Sequence, residues 1–149
     1  MRSETTERQQ FVLAALATDS DAEFAPVQVQ KLFFLLDENL SNVIGGAHFA
    51  FEPYDYGPFD KAVYRELEAL QSKGLVTIEQ IGASAGQRRY SLTTGGRQAG
   101  EQVLSQLPEF ARQYMTDLSA WVRSLSFSRL VGSIYKAYPH MRENSIFQD

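Results

Sequence analysis

Glu68-Ala-Leu-Gln-Ser-Lys-Gly74-Leu-Val76, followed after a loose Gly82–Gly86 loop by Arg88-Arg-Tyr-Ser-Leu-Thr-Thr-Gly-Gly-Arg-Gln98, decides the fold. The first phrase closes an amphipathic helix running from about Phe59 to Lys73. Val63, Tyr64, Leu67 and Leu70 share one of its faces, and Lys61, Arg65, Glu66 and Glu68 the other. Gly74 stands where a helix ends on a residue of positive φ. Leu75–Ile78 then reads as a strand, with Arg88–Leu92 as its antiparallel partner. Thr93 or Thr94 caps a further helix of about Gly95–Leu107. Helix, hairpin, helix is the order in which a winged-helix domain is written, the hairpin being the wing.

Helical periodicity extends in both directions from this centre. Upstream, a first helix of about Thr5–Ala17 carries Phe11, Val12, Ala15 and Leu16 on one stripe. A polar, acidic connection, Thr18–Glu23, leads to Pro26, whose fixed φ and missing N–H suit the first helical position. The second helix, about Pro26–Leu40, has apolar residues beyond a single face, because Val27, Phe34 and Leu35 widen the stripe of Val29, Leu32, Phe33, Leu36 and Leu40. A helix apolar on more than one side belongs at the centre of a domain. Its polar set is Gln28, Gln30, Lys31, Asp37 and Glu38. Residues 41–57 read as irregular, with a turn at Gly45-Gly46 and a short strand at His48–Phe51.

Downstream, Pro108 separates a helix of about Pro108–Leu125, with Phe110, Tyr114, Leu118, Trp121 and Val122 as its apolar stripe, from one of about Ser128–Tyr138 built on Leu130, Val131, Ile134 and Tyr135. Ile146 and Phe147 make the tail apolar enough to dock on the body. The expected architecture is mainly α: a winged-helix-like core of about six helices with a small two-stranded antiparallel β-hairpin wing. It forms one domain over 1–149, with its core at 5–107 and a C-terminal helical pair at 108–149.

Composition narrows the function. At 149 residues, with 44% hydrophobic and 21% charged residues, the chain has an ordinary globular balance. There is no cysteine, which removes disulfides, thiolate metal sites and thiol nucleophiles. The opening residues carry no signal-peptide pattern, and the longest apolar runs are far too short to cross a bilayer, so a cytoplasmic location without membrane contact is expected.

Chemistry-bearing patterns are sparse. His48 and His140 have no companion at metal-ligand spacing, and no nucleophile elbow or phosphate loop is present, so no cofactor, metal or catalytic activity is expected. Glu52, Asp55 and Asp60 lie close enough in sequence to form an acid–base pair, but capping of the next helix by Asp60 and simple solvation of the others account for them better. Nucleic-acid binding has Arg88, Arg89 and Arg97 in its favour, a stretch with no acid from Gly86 to Arg97. Against it stand a net charge of −4 and a recognition-helix candidate in which Lys61, Arg65 and Lys73 balance Asp60, Glu66 and Glu68. The connection of residues 41–57 is also much longer than the turn of a helix-turn-helix unit. The aromatic segment Phe49, Phe51, Tyr54, Tyr56 and Phe59 fits protein binding better. Such segments either plug the core or present anchors for a partner.

The same residues carry a family resemblance. Gln30-Lys-Leu-Phe33 on the second helix, then Tyr54-Asp-Tyr-Gly-Pro-Phe59 opening a helix through Val63-Tyr64-Arg65-Glu-Leu67 to Lys73-Gly-Leu75, resembles the SocA-like domain, also called Panacea. Ile134-Tyr135-Lys-Ala-Tyr138-Pro139, with Ser145 beyond it, is similar to the closing phrase of the uncharacterised bacterial YwgA-like group. The resemblance spans residues from about 26 to 147. The chain departs from it at Phe33-Phe34, in lacking a Trp before the Tyr-Gly-Pro step, and in its longer, arginine-bearing wing.

The resemblance implies a bacterial or phage-borne accessory protein, of the antitoxin or proteolytic-adaptor kind, that acts by contacting a partner protein. The expectation is a non-catalytic interaction module with Tyr54, Tyr56, Phe59, Lys31 and Arg65 as its protein contacts. The alternative is a winged-helix DNA-binding regulator using Arg88, Arg89 and Arg97. Homodimerisation through the last two helices suits either.

Overall fold

The computed structural model describes residues 5–19 and 21–147. The first four residues, Ser20 in the acidic connection and the last two residues of the tail therefore lie outside the description. Six helices follow one another with two short hairpins between them: α1 (Glu7–Leu16), α2 (Pro26–Leu40), β1 (Glu52–Tyr54), β2 (Gly57–Phe59), α3 (Ala62–Ser72), β3 (Val76–Gln80), β4 (Arg88–Leu92), α4 (Thr94–Ser105), α5 (Glu109–Ser124) and α6 (Phe127–Ala137). The protein is mainly helical, with two separate two-stranded antiparallel sheets. No described helix is long and apolar enough to cross a membrane.

Local chemistry sets most of the boundaries. Thr6 caps α1 by accepting from Gln9 N–H, and the Gln9 side chain reaches back to Thr6 N–H in a reciprocal capping box. Gln28 performs the second half of that exchange for α2, accepting from Ala25 N–H at 2.8 Å, with Pro26 in the first turn. Gly74 ends α3 with φ +77°, and Thr93 caps α4 through Gly96 N–H. The β3–β4 hairpin, at the place where the sequence reading expects a wing and so called the wing, pairs Val76 with Leu92 through Gln80 with Arg88. Phe24 adds a single antiparallel bridge to Tyr90 and so seats the wing against the start of α2.

Helix α2 is the centre of the molecule. One side, with Val29, Leu32, Phe33 and Leu36, joins α1, Val63, Leu67 and Leu70 of α3, Tyr90 and Met115 in the larger apolar cluster. Phe34 and Leu35 face the other way, into a second cluster with Val122, Leu130, Val131, Ile134, Tyr135 and Met141. The widened stripe of this helix therefore reflects packing on two sides. Helix α4 presses closely on α1. A Cβ at Gly100 would stand 2.4 Å from Leu13 O, and one at Gly96 would stand 1.9 Å from Leu75 O.

Four sequence expectations need correction. His48–Phe51 is not a strand. The hairpin forms one step later, pairing Glu52 with Phe59 and Tyr54 with Gly57 around an Asp55-Tyr56 turn, with Gly57 at φ +102°. The third helix begins at Ala62 and not Phe59, because residues 57–59 are used by β2. Gln30, Lys31 and Asp37, assigned to a polar face of α2, are buried at 1%, 3% and 7% exposure, since both sides of that helix are covered. In α5 the buried face is Ala111, Met115, Ser119 and Val122, which leaves Phe110 and Trp121 exposed. The tail docks through Phe147, which packs on the second cluster, while Ile146 stays exposed.

Candidate functional site

The aromatic segment divides as it runs. Phe49 is buried against Phe33, and Phe51 packs edge-on against Phe34. Beyond them the chain turns outward, so that Tyr54 and Tyr56 are 53% and 41% exposed. The segment is thus part core and part surface, in consecutive halves.

Three buried polar groups fix this segment to α2. The carboxylate of Asp37 accepts from His48 N–H at 3.0 Å and from Phe49 N–H at 2.9 Å, one on each oxygen. Burial raises its pKa, and these two main-chain donors oppose the rise. The Gln30 amide donates to Asp60 O at 2.9 Å and accepts from Asp60 N–H at 3.0 Å. Lys31 donates its amine to Pro58 O at 3.1 Å. Asp60 also accepts from Ala62 N–H at 2.9 Å, as expected for a residue starting α3, and from Ala50 N–H at 2.8 Å.

Between the hairpin, the wing and the start of α2 lies a cavity of about 320 Å³. Its aromatic lining is Tyr54, Tyr56, Phe59, Tyr64, Tyr90 and Phe127; its polar lining is Gln30, Lys31, Asp55 and Arg88. The rings form a run. Tyr54 stacks on Phe59 with centroids 5.1 Å apart, Phe59 meets Tyr64 edge-on at 5.8 Å, and Tyr64 stacks on Tyr90 at 6.2 Å. Across the turn, Tyr56 meets Phe127 of α6 at 5.0 Å. Burial pushes the Tyr64 hydroxyl up to about 12 and also raises that of Tyr90, whose rise the neighbouring Arg88 opposes.

Lys31 occupies the floor. A Cβ added at Gly57 would stand at ordinary contact distances, 3.6 Å from the Lys31 Nζ and 3.4 Å from Tyr135, so it is the φ of +102° that calls for glycine here. Burial alone lowers the pKa of Lys31 to about 7. The sequence expectation of Lys31 as a surface contact meets a residue that is buried. A lysine on an apolar helix reads as the edge of the stripe, and only the second packing face of α2 turns it inward.

The other expected residues distribute unevenly. Tyr54, Tyr56, Phe59 and Lys31 all line the cavity, whereas Arg65 is exposed on α3 and lies outside that lining. Arg88 lines the same cavity and donates to Gln80 at 3.3 Å. Arg89, its neighbour in β4, points to the opposite face and donates to Arg88 O and Gly86 O at 2.7 and 3.2 Å. Arg97 sits on α4, reaching Thr94. Residues from two rival sets, hairpin aromatics and a wing arginine, therefore meet in one place, while the three arginines do not converge. Gln30, Tyr64, Tyr90 and Phe127 were not singled out for the site from sequence, because only tertiary packing brings them to the hairpin. Among the described residues no group of three or more His, Asp or Glu side chains is placed to hold a metal ion. Compared with known proteins, the chain matches no family model, no curated protein and no solved structure.

Proposed function

We propose that this chain is a non-catalytic interaction module of bacterial or phage origin, antitoxin- or adaptor-like, with a winged-helix-like core, and that it holds a partner protein on the face carrying the β1–β2 hairpin. One observation carries the reading. Of the seven exposed large apolar side chains among the described residues, four, Tyr54, Tyr56, Phe127 and Ile146, belong to the hairpin and to the segments packed on it. Isolated exposed apolar residues need no explanation, but a group on a rigid framework is how partner sites are built. The rigidity is supplied from beneath by the Gln30, Lys31 and Asp37 contacts. The resemblance to SocA-like proteins points the same way, since those act by contacting other proteins.

The test compares two variants in one capture experiment from nuclease-treated host lysate. Tyr54→Ala/Tyr56→Ala is expected to lose a protein that the wild type retains in stoichiometric amount, with an unchanged circular dichroism spectrum. Arg88→Ala/Arg89→Ala serves the alternative reading. If the protein instead retains duplex DNA, steeply weakened by salt and lost in the arginine variant, the DNA-binding regulator replaces the interaction module.

A further inference from the structure

Lys31 is buried without a counter-ion among the described residues. The residue is 3% exposed, and its amine donates to Pro58 O. An ammonium has three N–H donors, so a single carbonyl leaves two unspent. Leaving a desolvated charge in that condition is costly unless an opposite charge reaches it. Lys31 lines the cavity, and its walls there are flat: Tyr54 stacked on Phe59, and Tyr64 stacked on Tyr90. Arg88 adds a second cation on the wing side, against Asp55 on the hairpin side.

We propose that this cavity is a binding site for a flat aromatic carboxylate, with the acid group on the Lys31 amine and the ring system against the tyrosine and phenylalanine walls. The walls supply area and stacking without direction. Orientation comes from Lys31 at the floor, backed by Gln30, and from Arg88 at the side. A volume of about 320 Å³ suits one or two fused rings. The lowered pKa of Lys31 describes the empty site, in which neutral amine tolerates burial; an arriving carboxylate restores the charged form by pairing with it. The carboxylate can belong to a free small acid or to the C-terminus of a partner chain ending in an aromatic residue. The chemistry at Lys31 is the same for both. This site does not depend on the partner-protein reading, because a small acid needs no partner to occupy it.

The test is calorimetric titration of the wild-type chain with naphthalene-2-carboxylate and with the neutral naphthalene-2-carboxamide. A second pair is a tripeptide ending in phenylalanine, as free acid and as terminal amide. The acid of a pair is expected to bind about 10- to 100-fold more tightly than its amide, the range of a charge-assisted hydrogen bond. Lys31→Met is expected to remove that preference. Preference for both acids assigns the site to free acids as well as chain ends, and preference for the peptide acid alone assigns it to a chain terminus. Equal binding of acid and amide, or no binding of either acid, overturns the proposal. Because the comparison of acid with amide uses the unaltered protein, it holds whether or not the Lys31 variant folds.

Discussion

Gln30 and Asp60 exchange two hydrogen bonds, the amide of one pairing with both main-chain groups of the other at 2.9 and 3.0 Å. Thirty residues apart in sequence, they behave like neighbouring strands in a sheet and join the middle of α2 to the chain just before α3. Everything between them, the hairpin included, is a loop closed by this pair. Replacing Gln30 by Glu keeps the shape but removes the donor, leaving Asp60 O facing a buried carboxylate. The expected loss is about 2–3 kcal/mol, read from urea unfolding, with Gln30→Leu similarly affected because it orphans the Asp60 N–H, while Asp60 O keeps the Val63 N–H at 3.1 Å.

Lys31 makes stability depend on pH in the direction opposite to that of a salt-bridged lysine, whose pKa folding raises. Its pKa falls from 10.5 to about 7 on folding, so between these values the unfolded chain holds a proton that the native one has released. Stability therefore rises with pH across that window, and the full penalty is felt below pH 7. The titratable groups sharing the cavity are Asp55, Arg88, Tyr54, Tyr56, Tyr64 and Tyr90, and Lys31→Met leaves all of them in place. The wild type is expected to gain on this variant by about 1.4 kcal/mol per pH unit from pH 7 to pH 9. Urea midpoints of both proteins at pH 6, 7, 8 and 9 check this; a constant difference would show that the amine is not desolvated.

The two halves of the aromatic segment answer differently to truncation. Phe49→Ala empties a position packed on Phe33 and Phe51 and is expected to cost about 3–5 kcal/mol. Tyr54→Ala, at a half-exposed position, is expected to cost less than about 1 kcal/mol. Thermal unfolding of the two variants side by side gives the comparison.

Much of the fold was legible because its signals are local. Pro26, Gly74 and Thr93 each announce a helix end by their own backbone or side-chain chemistry, and Arg88–Leu92 has the bounds expected of it. What escaped was decided by contacts between distant residues. Tyr54 and Gly57 pair because α2 anchors the chain on either side of them, which no β-propensity in residues 52–59 announces, two of them being proline. Lys31 turned from edge to floor once α6 covered the second side of α2. The tyrosines, the lysine and Arg88 were each visible singly. Their meeting in one cavity was not, since the wing contributes Arg88 and Tyr90 from a sequence distance that periodicity cannot bridge.

Two glycines in helices predict opposite outcomes for the same substitution. Gly100→Ala would drive a methyl group to 2.4 Å from Leu13 O and 2.6 Å from the Ala17 methyl, and is expected to cost about 1–3 kcal/mol by separating α4 from α1. Gly132 in α6 has nothing within 4 Å of its added Cβ. Gly132→Ala is expected to stabilise by about 0.5–1 kcal/mol, from helix propensity alone. Melting temperatures moving in opposite directions would confirm the helix packing.

The hairpin is held from one more side, by Ser145 and Ile146, whose hydroxyl and N–H both donate to Asp55 O, and by Asn144, which donates to Pro53 O. During synthesis the chain leaves the ribosome from the other end. Helices α1 to α4 are out early enough to collapse on one another, yet the turn bearing Tyr56 gains these tail contacts only after some ninety further residues have emerged. Nascent chains stalled before residue 144 would thus display a hairpin already anchored to α2 but not yet clasped by the tail.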